Sequence, residues 1–544
     1  MQLGSFASGS IGMAVVDAEA GVHLVWPSDL GEGTFLHYVH LDSQANKVNS
    51  QDLVFPGLLR APRLAPDGSG RLHLLWGSRP PGGKVWSIWH VLLDETGNLL
   101  TEPAQISLPG VSVGNYTVSP DHQGGALVVW DSGSLGKLYL QQVGAAGVIT
   151  NPPLVLAERG ESPSLWVSRG GEVYLTWHED QGLVYAVASL GSLVPTQTTL
   201  VVDLSQGTGQ SLVGPFVGVA GDWAYLFWSV LNQSGLEAGT GYTAYVSFPV
   251  SVPTKVAPRR VLMSPLEEQL LTSYHGELTL SQLAPPAEAW ASSDFILHPS
   301  VMIGSTDTEL AVALAFNQAS RLDQHLQVAV AIFENGDFFG YSVGSKTEGI
   351  SDNPVLSIDS SAHLYLVWRE GAAGNRVYYT TTQPEAIAAL DRLNAGDFTN
   401  ALLQGGMESL VSVAFLPIIG FGWLLPGMVV VGIVKLRWDQ DHLTHWYFWI
   451  PLIFALLIYH AAKFATLPTI TTYVPFSAWL DIPPRFGKPL QIIMPLLILA
   501  TALITAYRVQ RRQTPSAVVF YIAFVLVDSI LTLAIYGVNL LGVY

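Results

Sequence analysis

The sequence predicts an all-β propeller followed by an all-α transmembrane domain of four helices, and three observations carry that reading. A short pattern, an Asp-containing turn and then an apolar strand ending in Trp, recurs through the first 382 residues. Four apolar stretches follow it, each near or above the ~20 residues needed to cross a ~30 Å hydrocarbon core. The charge divides at the same place. Of 25 bases and 42 acids, eight and five lie beyond residue 404, so the first 404 residues carry the whole acidic excess.

The repeat is read first. Asp17 precedes Trp26, Asp67 precedes Trp76, Asp121 precedes Trp130 and Asp359 precedes Trp368, always by nine residues. Copies ending at Trp177 and Trp228 keep the strand and lose the Asp, while another keeps Asp307 and replaces Trp by Phe316. The aromatics are 50, 54, 47, 51, 88 and 52 residues apart. Most copies continue into a second alternating strand, such as TFLHYVHLD or RVYYTTT. Period-two segments separated by Gly, Asn, Asp and Pro are antiparallel strands, and a unit near 50 residues with about four short strands suits a propeller blade. Seven blades are expected over residues 1–382, with an insertion at about 252–298; the 88-residue interval leaves room for an eighth. The N-terminal MQLGSFA is expected to supply the missing outer strand of the last blade. The five Asp are assigned to turns, where a carboxylate accepts nearby backbone N–H groups, and the aromatics to packing between blades.

Residues 383–408 read as a helical linker and 409–544 as the membrane domain. Its spans are expected at Ser409–Val434, Trp446–Leu467, Leu490–Tyr507 and Ala517–Leu541. Loops one and three hold five bases (Lys435, Arg437, Arg508, Arg511, Arg512), against Lys463, Arg485 and Lys488 on the other side. The positive-inside rule puts those two loops in the cytoplasm, and the propeller and C-terminus on the extracytoplasmic side. MQLGSFASGS lacks the basic start and apolar stretch of a signal peptide. Either an upstream targeting segment precedes this numbering or the helices direct insertion.

The Asp-x-x-Gly-x-x-His-Leu-Leu/Val-Trp flavour, followed by a strand such as RVYYTTT, resembles the sialidase-like, BNR-type propeller repeats of bacterial exported proteins. The resemblance covers about residues 10–382. Enzymes of that family hold a substrate carboxylate with three arginines and use a Tyr–Glu nucleophile pair and an Asp acid/base. The chain departs from them: the first blade has no Arg-Ile-Pro, the first arginine is Arg60, and the strict Ser-x-Asp-x-Gly-x-Thr-Trp box is absent. No catalytic residue is carried over.

Other chemistry is sparse. With no cysteine, disulfides, thiolate catalysis and Cys-based metal sites are excluded. Charged residues are only 12%, half the usual share, and no nucleic-acid partner is expected. No catalytic residue, cofactor or metal site is assigned. His37 and His40 fall on opposite strand faces, and His23 and His73 share a repeat position that suits packing. Within the membrane domain Asp528 stands near the middle of the fourth span, where a charge is costly. His460 and Lys463 share a face of the second. At ~1.5 Å per residue Asp528 and His460 reach similar depths, so a contact between them is expected, with Lys463 reaching outward. The cluster is either a polar clasp or an ion path.

The functional expectation is a non-catalytic interaction or scaffold subunit of a larger membrane assembly, with the lipid bilayer and protein partners or a second copy as its contacts. The alternative is a membrane-tethered sialidase-like glycan hydrolase or glycan-binding protein. A third reading is a small transporter or sensor with a propeller receptor.

Overall fold

The computed structural model describes the chain apart from residues 1, 6–12, 18, 30–33, 134–135, 150, 205–206, 208, 236–237, 239–240, 263–301, 305–308, 321–322, 346–349, 360, 372–375, 391–394, 438–445, 468–469, 471, 478–483, 513–515 and 542–544. It has two compact units, one ending at Arg392 and one running from Leu393 to Tyr544, which also takes in Ser320–Asp323.

The first unit is a β-propeller. Among the described residues, five sheets have four strands and one has seven. The larger sheet arises from the 14-residue strand Leu154–Val167. Its first half pairs with Gly136–Val143 and its second half with Glu172–Glu179, so it ends one meander and opens the next. The opening strands of successive meanders, Met13–Val16, Leu58–Pro66, Tyr116–Pro120, Leu154–Val167, Gln210–Ala220, Met302–Gly304 and Ser351–Ile358, neighbour one another in turn, and the last returns to the first.

Each second strand is buried on both faces. Ala126–Asp131 is buried at every residue, and Leu72–Arg79 at all but the last. A strand pressed between two sheets reads as a continuous apolar run rather than an alternation, which explains HLLW and LVVW. The terminal aromatic wedges against the preceding sheet. Trp76 stacks on Phe55 at 4.0 Å. Trp130 packs with Leu75 and Ile88, Trp177 with Leu127 and Val129, Trp228 with Leu183 and Tyr185. Phe316 packs with Tyr225 and Phe227, and Trp368 with Ala311 and Val328. Trp26 closes the circle by packing with Val367 and Tyr379 of the last sheet.

The Asp turns share one geometry. In the second copy Asp67 Oδ1 accepts the Ser69 and Arg71 backbone N–H groups at 2.7 and 3.0 Å. Asp17, Asp121 and Asp359 do the same for residues two and four positions on. Burial alone would raise the Asp67 carboxyl, but the bonds from Ser69 and Arg71 more than offset it and hold it below the usual carboxylate range. The fourth residue of each turn is left-handed: Gly70 and Gly124 in two copies, Ala20 and Ala362 at φ 61° and 65° in the others. Asp307 lies outside the described residues.

Gln2–Ser5 pairs antiparallel with Arg376–Thr381, placing the chain start as the outer strand of the last sheet. Leu3 is buried there beside Trp26, Tyr379 and Ala386. Ala386 belongs to the short helix α1 (Pro384–Leu390), whose first turn is capped by Gln383 Oε1 accepting the Ala386 N–H at 2.6 Å. Arg260–Leu262, inside the expected insertion, is the fourth strand of the fifth meander and pairs with Thr243–Tyr245. Residues 263–298 of the insertion lie outside the described residues.

The second unit contains α2 (Ala395–Ala414), α3 (Leu416–Arg437), α4 (Trp449–Thr466, entered through a 3-10 turn at Trp446–Phe448), α5 (Pro484–Arg512) and α6 (Ala517–Leu541). Among the described residues, four helices are long and apolar enough to cross a membrane, starting at Leu416, Trp446, Arg485 and Ala517. The first expected span is corrected. The helix breaks at Phe415, so Ser409 belongs to α2 and the span begins at Leu416. The third extends to 29 residues. α6 is the hub, touching α2, α3, α4 and α5. At Gly427 of α3 an added Cβ would meet Tyr521 Oη at 2.2 Å and the Ala455 carbonyl at 2.6 Å, so glycine permits this close approach.

Two stability predictions follow from the turns and the closing strand. A left-handed alanine costs about 1–2 kcal/mol, so Ala362→Gly should stabilise the protein by roughly 1 kcal/mol in urea unfolding, part of the gain being lost to the freer unfolded chain. Removing residues 1–5 exposes Leu3's partners and a sheet edge. Burial of one leucine is worth about 1.5–3 kcal/mol, and thermal melting should fall by several degrees.

Candidate functional site

The opening strands of the meanders surround a cavity of about 1360 Å³. Its wall is chemically uneven. Ala, Val and Leu side chains alternate with Arg60, Arg63, Asn115, Tyr116 and Ser162, while Asp222 and Asp359 lie just past the C-terminal ends of their strands.

Arg63 is the informative residue. It stands four positions before Asp67, where the other Asp-bearing copies have Met13, Thr117, Ile303 and Val355. The repeat therefore supplies apolar or neutral side chains to this position, and one copy inserts a cation. Its guanidinium donates to the neighbouring Pro62 carbonyl at 3.1 Å and lies 5.9 Å from the Tyr116 ring centre. Among the described residues no carboxylate pairs with it. Burial lowers its pKa from the ordinary value, but a guanidinium stays protonated in proteins, so the wall holds a charge in want of an anion.

Arg60 is more fully engaged. It donates to the Val113 and Gly114 carbonyls, 2.8 Å each, and lies over Trp86 at 4.1 Å. Tyr116 donates to the Ala61 carbonyl. Asp131 is tied down behind this wall: Oδ1 accepts the Asn115 and Gly133 N–H groups and Oδ2 that of Ser162 at 3.0 Å. Burial raises its carboxyl. Sequence reasoning noted Arg60 only as the first arginine and passed over Arg63; the signal available was the break in the repeat four residues before Asp67.

In the helical unit Asp528 is buried and accepts from Lys463 Nζ and Tyr459 Oη, both at 2.5 Å. Tyr459 also bonds Ser529 at 3.1 Å. The expected Asp528–His460 contact is corrected: His460 turns its ring edge-on to Phe524, with centroids 5.9 Å apart, and buried Lys463 is the carboxylate's partner. Depth along a helix brought His460 and Asp528 level, but azimuth decides contact. Tyr459 and Lys463, four apart, share the face turned to α6.

Breaking a buried pair from one side leaves an uncompensated charge and costs about 3–5 kcal/mol, whereas replacing both partners by apolar groups is often neutral. Asp528→Ala should therefore melt well below the parent in detergent. The double variant Lys463→Met/Asp528→Leu should recover most of that loss.

No family model and no curated sequence matches the chain. Solved structures do. An ulvan lyase, a polysaccharide lyase, aligns at TM-score 0.44 with 9% identity, covering 70% of this chain and 96% of that one. An α-L-arabinofuranosidase from Fusarium graminearum aligns at TM-score 0.37 with 11% identity, covering 70% and 96%. The β-propeller domain of a trilobed protease from Pyrococcus furiosus aligns at 0.36 with 10% identity, covering 70% and 94%. The matched structures named for glycan chemistry are enzymes. The expectations of a non-catalytic scaffold subunit and of a chain that is not an enzyme run against these matches, which at 9–11% identity show a fold alone and assign no activity to this chain.

Proposed function

We propose that this chain is a membrane-tethered, glycan-processing propeller that takes an acidic sugar unit into its central cavity. The observation that carries this reading is Arg63, a cation on the cavity wall with no carboxylate partner among the described residues. A planar guanidinium suits the carboxylate or sulfate of an acidic sugar, which it can hold in a bidentate pair. The 20-charge acidic excess of the first 404 residues opposes attraction of long polyanions at a distance. Recognition in this reading is therefore a contact event at a short segment.

In the same reading the ring has seven blades of the sialidase-like repeat type over residues 1–382, joined by 383–408 to a membrane domain at 409–544. The five bases of loops one and three favour the cytoplasm for those loops, leaving the propeller outside, where glycans are met. The bilayer and the glycan are its partners. The Asp528–Lys463–Tyr459 cluster acts as a clasp that fixes α4 against α6. The buried atoms Asp528 Oδ1, Thr532 Oγ1 and Tyr536 Oη, which have no hydrogen-bond partner among the described residues, favour a hydrated ion path as its second reading.

The test uses the full chain in detergent against neutral, uronate-containing and sulfated oligosaccharides, followed by binding and by release of new sugar ends. Acidic oligosaccharides should bind and be cleaved in preference to neutral ones. Arg63→Ala should weaken acidic binding at least tenfold while melting normally. Equal handling of neutral and acidic sugars, or no binding of either, rejects the reading.

A further inference from the structure

Three adjacent strands of the first sheet each deliver one polar side chain to a common point. Asp17 follows Met13–Val16, His23 lies in Val22–Asp29, and His40 lies in Thr34–Leu41 directly across from His23. Asp17 Oδ2 is 3.0 Å from His23 Nε2 and 3.8 Å from His40 Nε2. All three atoms lie within 4.8 Å of one another. The two imidazoles stack with centroids 4.2 Å apart, and His23 is fully buried. His37, on the opposite strand face, bonds Asp52 instead.

The hydrogen bonds around His23 fix its tautomer. The Tyr38 hydroxyl has one proton and donates it to the Glu95 carbonyl at 3.0 Å. His23 Nδ1, 2.7 Å from the same hydroxyl oxygen, is therefore the donor of that pair. A neutral imidazole then presents Nε2 as a lone pair, facing a carboxylate oxygen. Two acceptors 3.0 Å apart repel unless a cation lies between them.

Other copies of the turn satisfy this oxygen with donors. Asp67 Oδ2 accepts from the Ser69 hydroxyl and the Arg71 guanidinium, Asp121 Oδ2 from the Gln142 amide, and Asp359 Oδ2 from the Tyr365 hydroxyl, with the single imidazole nitrogen His363 Nδ1 also 2.8 Å away. The first copy aims two imidazoles at it. The space is kept open by Gly21, where a Cβ would come within 2.5 Å of Asp17 Oδ2 and 2.9 Å of His40 Nε2.

We propose that Asp17, His23 and His40 bind a divalent transition-metal ion, zinc being the ion their chemistry favours. Two imidazole nitrogens and a carboxylate oxygen form a donor set that zinc accepts with bonds of about 2.0–2.2 Å. A small rotation of His40 closes the remaining gap. The chain His23 Nδ1–H to Tyr38 to the Glu95 carbonyl is the outer support that metal-ligating histidines use to fix ring and tautomer. Bound zinc joins three strands of the sheet that meets the ring closure. The competing occupant is a proton on His23, which gives an imidazolium–carboxylate pair and no metal affinity.

The experiment strips the full chain in detergent with a chelator and titrates it with zinc chloride, reading heat and melting temperature. One zinc per chain should bind saturably and raise the melting temperature. His40→Ala and Asp17→Asn should each weaken binding at least tenfold, with circular dichroism unchanged for His40→Ala, whereas His37→Ala should bind as the parent does. No saturable binding, binding that survives His40→Ala, or binding lost in His37→Ala overturns the proposal.

Discussion

The propeller depends on one requirement: the second strand of each sheet is apolar on both faces and must be covered on both. A single meander leaves one of those faces in water. Each sheet therefore needs a neighbour on either side, and the demand ends only when the last sheet meets the first. The aromatic at the end of the second strand meets it at every junction, from Trp26 against Val367 to Trp368 against Val328. Burial of 150–250 Å² per aromatic at about 25 cal/mol per Å² is worth about 4–6 kcal/mol at each junction. These terms act together only in the closed ring.

Such a frame frees the inner wall. The opening strands are held by turns and by sheet pairing, so their cavity-facing side chains vary without weakening the ring. Scaffold positions repeat, and chemistry sits where repetition fails. Arg63 replaces Met, Thr, Ile or Val, and the imidazoles of His23 and His40 replace the donors that quiet Asp67 and Asp121. The helical unit follows the same economy, with one buried ionic pair among the described residues of a mainly apolar core and exposed Ile418, Leu425 and Val429 facing outward from α3.

Much of this was legible in the chain. The nine-residue Asp–Trp spacing gives the turn and the buried strand because both are local. The membrane helices are legible from hydropathy, and the break at Phe415 is marked by Pro417 in the first turn of α3, a helix-start signal that hydropathy alone passes over. Contacts across strands were not legible. His40 meets Asp17 only through two hairpin registers, and no spacing rule reports that sum. Arg63 looked ordinary until its column in the repeat was aligned. Lys463 was assigned to the interface because long cations usually snorkel, but its position one turn after Tyr459 turns it inward to Asp528.

The closing strand also imposes an order in time. Gln2–Ser5 is made about 370 residues before its partner Arg376–Thr381, which emerges last of the sheets. At about 5–20 residues per second, the wait is on the order of tens of seconds. Throughout it Gln2–Ser5 has no partner strand, and the first sheet lacks its final neighbour. A chain built this way favours escorts that shield the waiting strand during synthesis, and its ring can be sealed only as the helices that follow are being made.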